Sequence, residues 1–103
     1  MRVEPDDLSF DAKCVLGAWF GMGGKTVVTL HLRDSEPTLR CRAALNELVE
    51  NKVLSVEPFN QFGGEVYKPL VENAGEFMRW LWDAKDDERA KFPLMQPITG
   101  VRK

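Results

Sequence analysis

The chain has 103 residues, of which 44% are hydrophobic, and its 14 basic and 16 acidic side chains give a net charge of −2. This length predicts a single domain spanning residues 1–103. The balance of charge excludes an overall positive field that would attract nucleic acid from a distance, so any affinity for DNA must come from a local basic patch.

The sequence has few residues that could act in catalysis or bind a metal ion. Cys14 and Cys41 form no C-x-x-C pair, and His31, the one histidine, is adjacent to neither of them. The sequence therefore predicts no metal site, no cofactor and no catalytic residue, and we expect a protein that is not an enzyme. The two cysteines are expected to be reduced and buried.

The N-terminal segment bears on location in the cell. Residues 1–7 lack both the basic start and the apolar run of a signal peptide, and no segment approaches the ~20 apolar residues needed to cross a bilayer. We therefore expect a cytoplasmic protein that does not bind a membrane.

The first predicted element is a helix from Ser9 to Phe20. Ser9 or Asp7 can cap its first amides, and a glycine-rich segment that begins at Gly21 ends it. Its nearly all-round apolarity predicts that other elements cover it. The next stretch, Lys25 to Arg33, has the β-branched composition of a strand but is also compatible with a short helix.

A second helical pattern runs from Thr38 to Lys52, after the turn residues that end at Pro37. At about 100° per residue, one side of it is predicted to face the core. That side consists of Cys41, Ala44, Leu45, Leu48 and Lys52. The opposite side carries Arg40, Ala43 and Glu47, and one flank carries Arg42 and Asn46.

The second half of the chain predicts a hairpin and a helix. Two short β-like runs, Val53 to Glu57 and Glu65 to Val71, are joined by a segment that ends in Gly63-Gly64. A helix from Ala74 to Lys91, with Asn73 as its cap, follows from apolar residues spaced at i, i+3, i+4 and i+7. The tail, residues 93–103, is expected to be irregular.

The stretch from Arg42 to Glu57, RAALNELVENKVLSVE, closely resembles the last helix and first wing strand of the winged helix-turn-helix superfamily. Residues 8–16 are similar to the first helix of winged domains in phage and plasmid replication or regulatory proteins. The sequence departs from the signature at Asn51-Lys52, where Lys-Gly is more usual.

The resemblance covers residues 8–71 and implies an α+β, mostly helical fold. It implies a two-stranded wing within residues 53–71 and an extra C-terminal helix within residues 72–92. It also makes Thr29 to Asp34 a short second helix, against the local strand preference, and Thr38 to Asn51 the recognition helix.

On this basis we expect a small DNA-binding protein, a regulator of transcription or a replication accessory, that binds double-stranded DNA. Arginine suits guanine or phosphate and asparagine suits adenine. The candidate DNA contacts are Thr38, Arg40, Arg42 and Asn46 on the helix, and Asn60, Gln61 and Lys68 on the wing.

The alternative is a protein-binding winged domain, such as an inhibitor or adaptor of a phage or mobile element. The charge map separates the two hypotheses. A continuous positive stripe across the recognition helix and wing favours DNA, whereas acidic groups that interrupt the stripe favour a protein partner.

The C-terminal helix has more apolar surface than one buried face requires. Trp80 and Trp82 are separated by about 200° around a helix, so they cannot both face one core. We therefore expect a homodimer through this helix, unless the wing or the tail covers the second indole. The candidate interface residues are Phe77, Met78, Trp80, Leu81 and Trp82.

Overall fold

The fold is a small α+β domain in which helices predominate. A computed structural model describes residues 2–22, 24, 26–28, 36–58, 65–84 and 86–91. In chain order its elements are α1 (Phe10–Phe20), β1 (Thr26–Val28), α2 (Glu36–Glu50), β2 (Leu54–Pro58), β3 (Glu65–Pro69) and α3 (Ala74–Asp83). Two 3₁₀ turns, Pro5–Asp7 and Glu88–Lys91, precede α1 and follow α3.

Helix α1 is the centre of the domain. The Ser9 hydroxyl accepts a hydrogen bond of 3.2 Å from the Ala12 amide, so the predicted Ser9 cap is confirmed. Buried residues occupy most of its circumference, as the all-round apolarity predicted. They are Ala12, Cys14, Val15, Leu16, Gly17 and Phe20.

Helix α2 has the predicted phase from Cys41 to Leu48, but Lys52, which was predicted to face the core, lies beyond the end of the helix and is exposed. Ala44, Leu45 and Leu48 are at most 1% exposed and belong to the main core. The helix ends in a Schellman turn, in which the Lys52 amide donates to the Val49 carbonyl and the Val53 amide donates to the Leu48 carbonyl. Lys52 adopts the left-handed conformation there, with φ of 63°. This is the position at which the winged helix signature has glycine.

The predicted hairpin is confirmed, and a third strand joins it. Strands β2 and β3 pair antiparallel, with Val56 opposite Tyr67, and β1 pairs antiparallel with the other edge of β3. The sheet order is therefore β1-β3-β2. The β-branched residues Thr26–Val28 thus follow their local strand preference, whereas the short helix predicted at Thr29 to Asp34 lies outside the described residues.

Helix α3 is shorter than predicted, because it ends at Asp83 rather than at Lys91. The Asp87 carboxylate accepts a hydrogen bond from the Arg89 amide and so begins a separate 3₁₀ turn. This turn buries Ala90 in a small cluster with Cys14 and Leu81.

The start of α3 also differs from the prediction. Asn73 occupies the cap position, but its side chain makes no capping hydrogen bond. Its amide instead donates to the Val3 carbonyl at 2.8 Å and accepts from the Val3 amide at 3.1 Å. This buried asparagine therefore holds the N-terminal segment against α3.

Helices α1 and α3 pack at unusually short distance. A Cβ atom added to Gly17 would lie 2.4 Å from the Phe77 carbonyl oxygen, so only glycine fits there. Further along the same contact, the Phe10 and Trp80 rings meet edge to face with centroids 5.5 Å apart. No helix among the described residues is both long and apolar enough to span a bilayer.

Candidate functional site

Arg40, a predicted DNA contact, is placed in an internal ion pair. Its Nε donates to Asp11 Oδ2 at 2.8 Å, and its Nη2 donates both to Asp11 Oδ1 and to the Arg89 carbonyl oxygen. The Arg40 side chain is 19% exposed. This guanidinium therefore joins α2 to the first turn of α1 and to the C-terminal 3₁₀ turn, and its Nε and Nη2 donors are used within the domain.

Glu47, two turns further along α2, has a similar role. Its carboxylate accepts from the Ser9 amide at 2.8 Å and from the Ser9 hydroxyl at 2.6 Å. An acid from α2 thus completes the cap of α1, as a local acid does in a capping box. The side of α2 that carries Arg40 and Glu47 was predicted to face outward, but it packs against the N-terminus of α1.

The remaining outward face of α2 is the best candidate for a binding surface. It comprises Leu39, Arg42, Ala43, Asn46 and Glu50, and we call it the α2 surface. Leu39 is 47% exposed, Arg42 is half-buried, and the other three are exposed. Arg42 and Asn46, four residues apart, are neighbours on one side of the helix, as predicted.

The sheet continues this surface. Tyr67 is buried, and burial together with the 2.7 Å hydrogen bond to Glu65 raises the pKa of its phenol, an effect that the Arg42 charge opposes. Tyr67 and the core side of α2 belong to one hydrophobic cluster, so this face of the sheet packs against α2. Val56, which is 38% exposed, is the strand partner of Tyr67 and shares its face of the sheet. An apolar side chain is thus placed beside the α2 surface.

Lys68, the candidate phosphate contact on the wing, lies on the face of the sheet opposite to that of Tyr67. Successive residues of a strand face opposite sides of the sheet, so Lys68 faces away from buried Tyr67. The structure therefore does not place Lys68 on the sheet face that packs against α2, the helix that carries Arg42. The wing residues Asn60 and Gln61, and the side chain of Thr38 in α2, lie outside the described part of the chain.

The charges on this side of the described domain are mixed. Arg42 and Glu50 carry opposite charges on the α2 surface, and Glu65 shares the sheet face of Tyr67. Acidic groups therefore interrupt the positive stripe that DNA binding would require over the described residues.

The candidate dimer residues differ in how much of each side chain is exposed to solvent. Phe77 and Leu81 are 2% and 7% exposed and belong to the core of the single chain. Trp80 is half-buried against Phe10, with the Lys13 ammonium 4.9 Å from its ring centroid. Trp82 is 66% exposed. One indole packs and the other faces solvent, as the helical spacing predicted.

The two thiols are buried and unactivated. Burial raises the pKa of Cys14 to about 11 and also raises the pKa of Cys41. Thiols activated as nucleophiles have lowered pKa values instead. Among the described residues, no cluster of three or more histidine, cysteine or acidic side chains is arranged to hold a metal ion.

Comparisons with protein-family models, with curated protein sequences and with solved structures return no match to this chain.

Proposed function

We propose that this chain is a winged-helix-type binding domain that uses the α2 surface and the adjoining hairpin to bind a partner protein. The winged interpretation is supported by the order of elements, in which a helix followed directly by a hairpin occupies the positions that the sequence resemblance implied. The third strand, β1, precedes that helix and pairs with the returning strand of the hairpin.

The observation that favours a protein partner is the chemistry of the exposed groups. Leu39 and Val56 supply apolar area, and Arg42 and Glu50 carry opposite charges beside them. Protein interfaces combine an apolar centre with a polar rim, whereas DNA affinity depends on several cations facing phosphates. With Arg40 paired to Asp11, the described face lacks that excess of positive charge.

DNA remains the second candidate because Arg42 and Asn46 are adjacent on the outer side of α2. An arginine and an asparagine one turn apart are suited to read guanine and adenine edges in a major groove. The function would then be that of a small transcriptional regulator or replication accessory.

The first experiment is a titration of the full chain against a random-sequence DNA duplex at two salt concentrations. A protein-binding domain should show no salt-dependent duplex binding. Affinity that falls steeply as salt rises, and falls again in Arg42→Ala, would favour the DNA candidate, since phosphate contacts release counterions.

The second experiment is affinity capture from a lysate of the native host cell with matched variants. Leu39→Asp places a charge in the α2 surface, and Leu70→Asp makes the same change at a leucine of similar exposure, 46% against 47%, outside that surface. A discrete partner should be retained by wild type and Leu70→Asp and lost by Leu39→Asp. Equal capture by all three proteins would contradict the proposed surface.

A further inference from the structure

The outer face of α3 carries a second surface, separate from the α2 surface. Met78 and Trp82 are four residues apart and lie on the same face of the helix. Met78 is half-buried over Gly21, and Trp82 is 66% exposed. Arg79 and Asp83, also four residues apart, are both exposed beside them. A large apolar group is thus bordered by one positive and one negative charge.

We propose that this face binds a second copy of the same chain, with the two α3 helices antiparallel about a two-fold axis. In such an interface, residue i contacts residue j of the other copy and j contacts i. Arg79 of each copy then pairs with Asp83 of the other. The face is self-complementary because it carries one exposed charge of each sign, and an antiparallel pair of helices centred between them places each charge opposite its counterpart.

The position of these charges also determines what meets at the centre. The midpoint between Arg79 and Asp83 along α3 is one residue from Trp82. A two-fold axis through that midpoint brings the two Trp82 indoles together, with Met78 of each copy one turn from its own Trp82. Apolar side chains therefore meet at the centre and the ion pairs lie at the rim, as in protein interfaces generally.

The short length of α3 limits the expected affinity of the dimer. A contact between two ten-residue helices buries less than the ~1,600 Å² of a standard interface, so we expect a dissociation constant in the micromolar range or weaker. Because α1 covers the opposite side of α3, dimerisation leaves the core of each copy unchanged.

The experiment is sedimentation equilibrium of the full chain from about 5 to 500 µM, the range in which weak interfaces are populated. Wild type should be in reversible monomer–dimer equilibrium. Trp82→Ala should weaken dimerisation about 30-fold, the loss expected for a buried tryptophan anchor. Leu70→Ala, which truncates an exposed apolar side chain after β3, should leave the equilibrium unchanged.

Charge reversal tests the two-fold geometry. Arg79→Glu and Asp83→Lys should each weaken the dimer about three- to tenfold through like-charge contacts, and the double variant Arg79→Glu/Asp83→Lys should restore it. Circular dichroism should show that every variant keeps the wild-type fold. A wild type that is monomeric throughout, or a double variant that stays as weak as the single ones, would overturn the proposal. Neither result bears on the α2 surface.

Discussion

Arg40 of α2 and Asp11 of α1 form a two-pronged ion pair at the junction of three elements. The same guanidinium donates a 2.8 Å hydrogen bond to the Arg89 carbonyl, so one side chain links both helices to the C-terminal 3₁₀ turn. Asp11 also lies in the first turn of α1, where the helix dipole favours a negative charge.

We expect Arg40→Ala to lower the free energy of unfolding by about 1–3 kcal/mol, because it leaves the partly buried Asp11 carboxylate and the Arg89 carbonyl without this donor. Urea denaturation measures the change. Lys68→Ala, which removes an exposed cation from β3, is the control and should change stability by less than about 0.5 kcal/mol. Asp11→Ala should be non-additive with Arg40→Ala in a double-mutant cycle. Additive losses would show that the pair is not coupled.

This pair illustrates which parts of the structure the sequence could predict. The periodicity of α2 predicted that Leu45 and Leu48 are buried, because apolar spacing reports directly which side faces a core. It could not show whether a charged residue at the border of that side meets solvent or another helix. Arg40 and Glu47 were therefore assigned to the outer side, although each binds a residue about 30 to 40 positions earlier in the chain.

The end of α3 was mispredicted for a related reason. The residues after Asp83 have good helical propensity and charges spaced for helical pairs, so local rules extend the helix to Lys91. The contact that ends it, Ala90 against Cys14 of α1, joins residues far apart in sequence. The same limit applies to the binding surface, since local patterns do not show which face of the hairpin packs against α2, and Lys68 lies on the other face.

Lys52 gives a stability prediction of opposite sign. Its φ of 63° lies in the left-handed region, which costs a residue with a side chain roughly 1 kcal/mol relative to glycine. We therefore expect Lys52→Gly to raise the free energy of unfolding by about 0.5–1 kcal/mol. Lys52→Ala removes the same charge but keeps the unfavourable conformation, so its stability should stay close to that of wild type. Equal gains in both variants would attribute the effect to the lysine charge instead.

A substitution at Gly17 tests whether α1 and α3 approach each other as closely as the structure shows. Alanine normally favours a helix interior by about 1 kcal/mol over glycine, but here its Cβ would meet the backbone of Phe77. We expect the clash to dominate and Gly17→Ala to cost about 1–3 kcal/mol, as overpacked cores do. Gly24→Ala adds the same methyl group where no atom lies within 4 Å and should be nearly neutral. A stabilised Gly17→Ala protein would mean that the two helices are further apart than described.

The buried thiols predict how stability depends on alkaline pH. The pKa of Cys14 in the folded chain is raised from the ordinary value of 9.0 to about 11, mainly by burial. Because the unfolded chain loses this proton first, the contribution of Cys14 is fully present below about pH 8.5 and is lost as pH rises from 9 toward 11. Urea denaturation at pH 8 and pH 10 should show a larger fall in stability for wild type than for Cys14→Ala, which lacks the group. Labelling with a disulfide reagent at pH 8 should be slow for native Cys14, because only about a thousandth of a thiol of pKa 11 is ionised there, and fast once urea unfolds the chain. A native Cys14 that reacts as rapidly as the unfolded chain would show that the thiol is accessible and its pKa ordinary.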